Sequence, residues 1–118
     1  MGKRILIIDD EPHIIKVIKS RLEINDYEVI TASDGEEGME KVKTDSPDLI
    51  VLDMLMPKMD GYTFVRELKN TGKKIPVIVL TAKHEVEGTF IEGEVKECIL
   101  KPFQPDDLLN KINKHLKA

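Results

Sequence analysis

The side chains best suited to chemistry in this sequence stand at the ends of short apolar runs. Asp9 and Asp10 follow Ile5 to Ile8, Asp53 follows Leu49 to Leu52, Thr81 follows Val77 to Leu80, and Lys101 follows Cys98 to Leu100. Three carboxylates held close together repel, and one of them keeps its proton unless a cation neutralises the group. Hard oxygen ligands favour Mg²⁺ or a similar ion, which commonly takes one or two carboxylates together with waters and phosphate oxygens. Beside such an ion a carboxylate can attack phosphorus and become an aspartyl phosphate, and Asp53, on the central run, is the natural nucleophile. Lys101 offers a compact positive charge to one phosphoryl oxygen and the Thr81 hydroxyl a hydrogen bond to another, contacts that exist only while phosphate is present.

Each residue alone has a plainer reading. Asp10, ahead of Glu11-Pro12, can cap a helix, and Lys101 can simply be solvated. The set counts for more than its members, because parallel strands end on one side and the carboxyl edge of an open α/β sheet is where ligands bind.

That arrangement needs the runs to be strands with helices between them. Four runs are continuously apolar, as strands buried on both faces are, whereas Glu28 to Ala32 carries Glu28 and Thr31 and suits a sheet edge. The first helix opens at Pro12, carries Ile14, Ile18 and Leu22, and closes at Asn25 and Asp26. A second opens at Ser33 or Asp34, has Glu36 and Glu37 in its first turn and Met39 and Val42 facing inward, and has Pro47 as its outer limit. A third carries Phe64, Val65 and Leu68, is capped by Asp60 with Gly61 at a tight backbone position, and stops near Gly72. The last begins around Pro105 and buries Leu108, Leu109, Ile112 and Leu116. From Lys83 to Glu97, with Gly88 and Gly93 and a weak period, a short or irregular helix is expected. Strand and helix alternate five times, which predicts a mainly parallel α/β sheet with right-handed crossovers and helices on both faces.

Composition narrows the function further. The 118 residues suit one domain, 1–118, and their 22 acidic and 18 basic side chains are interspersed, with a net charge of −4 that argues against a nucleic-acid surface. Lys111, Lys114 and Lys117 on the last helix read as a solvated face. A single cysteine, Cys98, forms neither an internal disulfide nor a Cys-cluster zinc site, and the apolar run after Lys3 and Arg4 is too short for a signal peptide or a membrane span; a cytoplasmic protein is expected. His13, His84 and His115 show no metal-ligand spacing, and Met54, Met56 and Met59 read as loop and core packing. Neither a P-loop nor a dinucleotide-type glycine-rich turn is present.

Together, Ile7-Ile8-Asp9-Asp10-Glu11, Asp48 to Gly61 (DLIVLDMLMPKMDG), Pro76 to Ala82 (PVIVLTA) and Leu100 to Phe103 (LKPF) resemble bacterial two-component response-regulator receiver domains of the chemotaxis type, over the whole chain and in order. The resemblance implies a flavodoxin-like three-layer sandwich whose five-stranded parallel sheet has the order 2-1-3-4-5. It implies Asp53 as phosphoacceptor, Asp9, Asp10, Asp53 and the Leu55 backbone carbonyl as Mg²⁺ ligands, Thr81 and Lys101 as switch and phosphate contacts, and a cis Lys101-Pro102 bond. It further implies a sensor histidine kinase or a histidine phosphotransfer protein as donor. A downstream protein as output and a monomer or weak dimer are expected, and the charge pattern and short apolar runs predict no nucleic-acid or membrane partner.

The sequence departs from the family pattern in two places. Cys98 stands where the family usually has Tyr or Phe, and only 20 positions separate Thr81 from Lys101, with Glu94-Val95-Lys96-Glu97-Cys98 replacing the customary Gly-Ala-Asp-Asp-aromatic turn. A docking module that works without phosphate is therefore a second expectation. A Mg²⁺-dependent phosphohydrolase is a third, disfavoured because Asp-x-Asp on the first strand and a cap are missing. The apolar Leu55, two residues beyond Asp53, cannot orient an attacking water, which predicts slow loss of the phosphoryl group.

Overall fold

The computed structural model describes residues 2–54, 60–81 and 95–116. Within them five strands, β1 (Arg4–Ile8), β2 (Glu28–Ala32), β3 (Leu49–Asp53), β4 (Val77–Thr81) and β5 (Val95–Leu100), form one sheet of order β2-β1-β3-β4-β5. All four pairings are parallel. Helices α1 (Pro12–Ile24), α2 (Gly35–Asp45), α3 (Gly61–Asn70) and α4 (Pro105–Leu116) pack around it.

Local chemistry explains the helix limits. Pro12 opens α1, where a missing N–H costs nothing, and the backbone leaves the helix through Asn25 and the left-handed Asp26. Asp34 accepts the Glu37 N–H at 2.9 Å while Ser33 donates its N–H and hydroxyl back to Glu37, so one orphan N–H of α2 and the N–H just ahead of its cap are satisfied. Asp60 caps α3 in the same way, accepting the Thr63 N–H at 2.8 Å.

Side-chain alternation along the strands divides the core in two. Leu6, Ile8, Ile50, Leu52, Val77 and Val79 face Val42 of α2 and Phe64 and Leu68 of α3. Ile5, Ile7, Leu49, Val51, Ile78 and Leu80 face Ile18 and Leu22 of α1 and Leu108 and Ile112 of α4. Central strands buried on both faces explain why their runs are apolar without a break, and β2, at one edge, is only partly buried. Phe64 is wholly buried at the centre of the first layer. Phe64→Ala is expected to destabilise the fold by about 3–5 kcal/mol, read as a lower urea midpoint at unchanged slope.

The sequence expectations need three corrections here. β5 begins at Val95, three residues ahead of the apolar run Cys98 to Leu100, so the end of the segment expected to be irregular helix is strand. The reason is tertiary: β5 pairs with β4 through a register shift between Val77 and Ile78, and the polar Glu97 is received by α4. Glu97 meets Lys111 at 3.7 Å, Lys114 at 3.2 Å and His115 at 2.9 Å, so the basic face of α4 is ion-paired within the chain and not merely solvated. Burial opposes ionisation of Glu97, but hydrogen bonds from His115 and Lys114 and the Lys111 charge outweigh it and hold the carboxyl below its usual range. Finally, Leu109 and Leu116 are partly buried, not fully. Leu55, Met56, Met59, Lys83, His84, Gly88, Gly93, Glu94 and Lys117 lie outside the described residues.

Candidate functional site

Parallel pairing brings the carboxyl ends of β1, β3, β4 and β5 to one edge, and backbone bonds fix the residues just beyond them. The Asp9 N–H donates to Ala32 O at 3.1 Å, Met54 N–H to Leu80 O at 3.1 Å, and Lys101 N–H to Thr81 O at 2.8 Å. The peptide bond that follows, Lys101-Pro102, is cis. Below Asp53 the chain is tightly packed. A Cβ on Gly61 would lie 2.4 Å from Met54 Sδ and 3.1 Å from Met54 Cα, so the close approach of α3 to the end of β3 favours glycine there.

All five residues expected at this edge are there. Carboxylate oxygens of Asp9, Asp10 and Asp53 lie within 4.8 Å of one another. Asp9 is completely buried, Asp53 is 4 % and Thr81 3 % exposed, and Asp10 sits at the open rim. The Lys101 ammonium is 3.3 Å from Asp53 Oδ1 and 3.9 Å from Asp9 Oδ2. Neither plainer reading survives: Glu11, not Asp10, occupies the N-cap of α1, and Lys101 is turned into the acidic cluster.

Asp9 carries the electrostatic strain of the site. Its Oδ1 accepts the Glu11 N–H at 2.9 Å, but its buried Oδ2 has no hydrogen-bond partner among the described residues. Burial pushes its pKa up to about 6; the Asp53 and Glu11 charges add to the rise, and the Glu11 N–H and Lys101 oppose it. An orphaned carboxylate oxygen in an all-oxygen cluster is what a hard divalent cation relieves, so these residues fit Mg²⁺. The Leu55 carbonyl expected to join them lies outside the described residues.

One participant was not singled out from the sequence. Glu11 places its Oε1 3.7 Å from the same Lys101 ammonium, although its place after Asp9-Asp10 and before Pro12 suggested only a helix start. Cys98 is partly buried against the layer formed with α2 and α3.

Residues 5–113 match the family described as response regulator receiver domain. The chain belongs to that family. Among its relatives are the Alkaline phosphatase synthesis transcriptional regulatory protein PhoP of Bacillus subtilis, 40 % identical over 100 % of this chain and 48 % of its own length, and Response regulator MprA of Mycobacterium ulcerans, 34 % identical over 99 % of this chain and 51 % of its own. The chain therefore spans about half the length of the curated relatives it matches. Response regulator protein TrrA from Thermotoga maritima, solved in complex with Mg²⁺-BeF, superposes with a TM-score of 0.87 at 35 % identity, covering 97 % of this chain and 99 % of that one. A Francisella response regulator receiver domain gives a TM-score of 0.90 at 30 % identity, covering 98 % and 100 %. The receiver is a phosphoacceptor signalling module of the two-component type, not a classical enzyme. Among its described residues no helix is long and apolar enough to cross a membrane.

Proposed function

We propose that Asp53 is the phosphoacceptor and that Asp9, Asp10 and Asp53 hold Mg²⁺, with the Leu55 carbonyl as a further ligand. The carrying observation is the buried Asp53 carboxylate, grouped with two other acids and 3.3 Å from Lys101. The donor is a phosphohistidine on a sensor kinase or phosphotransfer protein: an Asp53 oxygen forms the new O–P bond while the P–N bond breaks and the imidazole nitrogen keeps the electron pair. Mg²⁺, when bound, supplies neutralisation of the acidic cluster and of the phosphoryl oxygens. Lys101 then contacts one phosphoryl oxygen and Thr81 donates its hydroxyl to another, and these two new contacts bias the protein toward a second surface conformation.

An apolar groove of about 380 Å³, lined by Ile14, Val17, Phe103 and Pro105, shares Glu11 and Lys101 with the site and is suited to the donor protein. A cytoplasmic location and slow self-dephosphorylation belong to the same reading. Beryllofluoride with Mg²⁺ tests it. Amide shifts are expected at Asp53, Thr81 and Lys101 and along β5; a spectrum unchanged by this phosphoryl mimic would instead support docking without phosphate.

A further inference from the structure

Among the described residues three carboxylates lie around the Lys101 ammonium, and they are not equivalent. Asp9 and Asp53 are buried at the floor, whereas the Glu11 side chain is 47 % exposed at the mouth. Glu11 makes no side-chain capping bond to α1, so its carboxylate is not committed to the helix, and among the described residues it also lies 3.8 Å from the exposed His13. Lys101 is thus divided between the acid to be phosphorylated and an acid that draws it outward. A partly exposed negative charge also stands 3.7 Å from the ammonium that is to meet the phosphoryl group.

We propose that Glu11 is the resting counter-ion of Lys101 and a positioning residue that sets how the receiver discriminates among small phosphodonors by their charge. The inference rests on Asp53 being the phosphoacceptor. Before transfer, Glu11 competes with the donor for the ammonium; after transfer, the phosphoryl oxygens win Lys101 and Glu11 is released. Coulomb repulsion between Glu11 and a donor scales with donor charge, so a dianion is opposed about twice as strongly as a monoanion at the same distance. With acetyl phosphate, a dianion at neutral pH, an Asp53 oxygen bonds to phosphorus as the P–O bond breaks and acetate leaves with the electron pair. With phosphoramidate, a monoanion, the P–N bond breaks and the nitrogen, already protonated, leaves as ammonia.

The test compares the phosphorylation rate constants of wild type, Glu11→Gln and Glu11→Asp with both donors in saturating Mg²⁺, read by intact mass. Glu11→Gln is expected to react about 3–10-fold faster with acetyl phosphate but only about 2–3-fold faster with phosphoramidate, changing the ratio between donors. Glu11→Asp restores the charge and returns that ratio toward wild type. Raising ionic strength narrows the difference between wild type and Glu11→Gln, because the charge is partly exposed. An unchanged donor ratio in Glu11→Gln overturns the inference, even if both rates move together, since a purely structural effect changes them in proportion. If wild type accepts phosphate from neither donor, the phosphoacceptor reading itself fails, and the inference with it.

Discussion

Asp53→Asn is expected to take up no measurable phosphoryl group from a phosphohistidine donor or from acetyl phosphate. The amide is nearly the same size, so Asp53 can be replaced without opening a cavity in its buried setting. It removes the nucleophilic oxygen and one of the three charges in the acidic cluster. Loss of a nucleophile typically lowers a rate by on the order of 10³-fold or more, because no neighbouring group supplies the same attack. Asp9 and Asp10 do not substitute for it: the Lys101 ammonium lies nearer Asp53, at 3.3 Å, than Asp9, at 3.9 Å, and Asp10 lies at the rim. Labelling with radioactive donor measures the effect. A variant labelled as fast as wild type would move the acceptor to another residue.

The second large effect concerns Asp9 and carries a definite sign. Burial raises its folded pKa from 3.8 to about 6, so between those values the folded protein binds more protons than the unfolded chain. Stability contributed by this group therefore falls as pH rises through that window, and the penalty is complete above the folded value. At 1.36 kcal/mol per pKa unit the whole shift is worth about 3 kcal/mol. Metal-free Asp9→Asn is expected to be more stable than wild type at pH 7 by up to about 3 kcal/mol, with the difference vanishing toward pH 4. Magnesium reverses the order of advantage: it stabilises wild type by relieving the same repulsion, while the variant loses about tenfold or more in Mg²⁺ affinity. Urea melts at the two pH values, with Mg²⁺ or with chelator, separate these contributions. A wild type and variant that differ equally at both pH values would show that Asp9 does not carry the strain assigned to it.

Both predictions draw on one arrangement. A fully buried acid with an orphaned oxygen is a liability in the metal-free protein, and the same liability is what makes the pocket receptive to a divalent cation. The fold tolerates it because the central strands are buried on both faces and contribute apolar area on each. Stability is supplied by the layers beneath, and the carboxyl edge is left to electrostatics.

Much of this was legible along the chain because the signals are local. Continuous apolar runs identify β1, β3 and β4, while Pro12, Asp34, Asp60 and Pro105 mark helix starts through chemistry confined to one turn. The acids, the hydroxyl and the lysine at the strand ends follow from the same reading, since parallel strands must finish on one side. What required tertiary structure was every distinction that depends on a distant partner. Lys96 and Glu97 look unlike strand residues, yet Glu97 is accommodated because Lys111, Lys114 and His115 reach it from α4. Asp9 and Asp10 are identical in type and adjacent in sequence, and only the packing around the end of β1 buries the first and leaves the second exposed. Glu11 has no local mark of function because its partner, Lys101, stands ninety residues away. Local residue patterns dictate most of the elements and which chemical groups reach the edge of the sheet; the packing of those elements selects which charges are stripped of water, and so which of them can act.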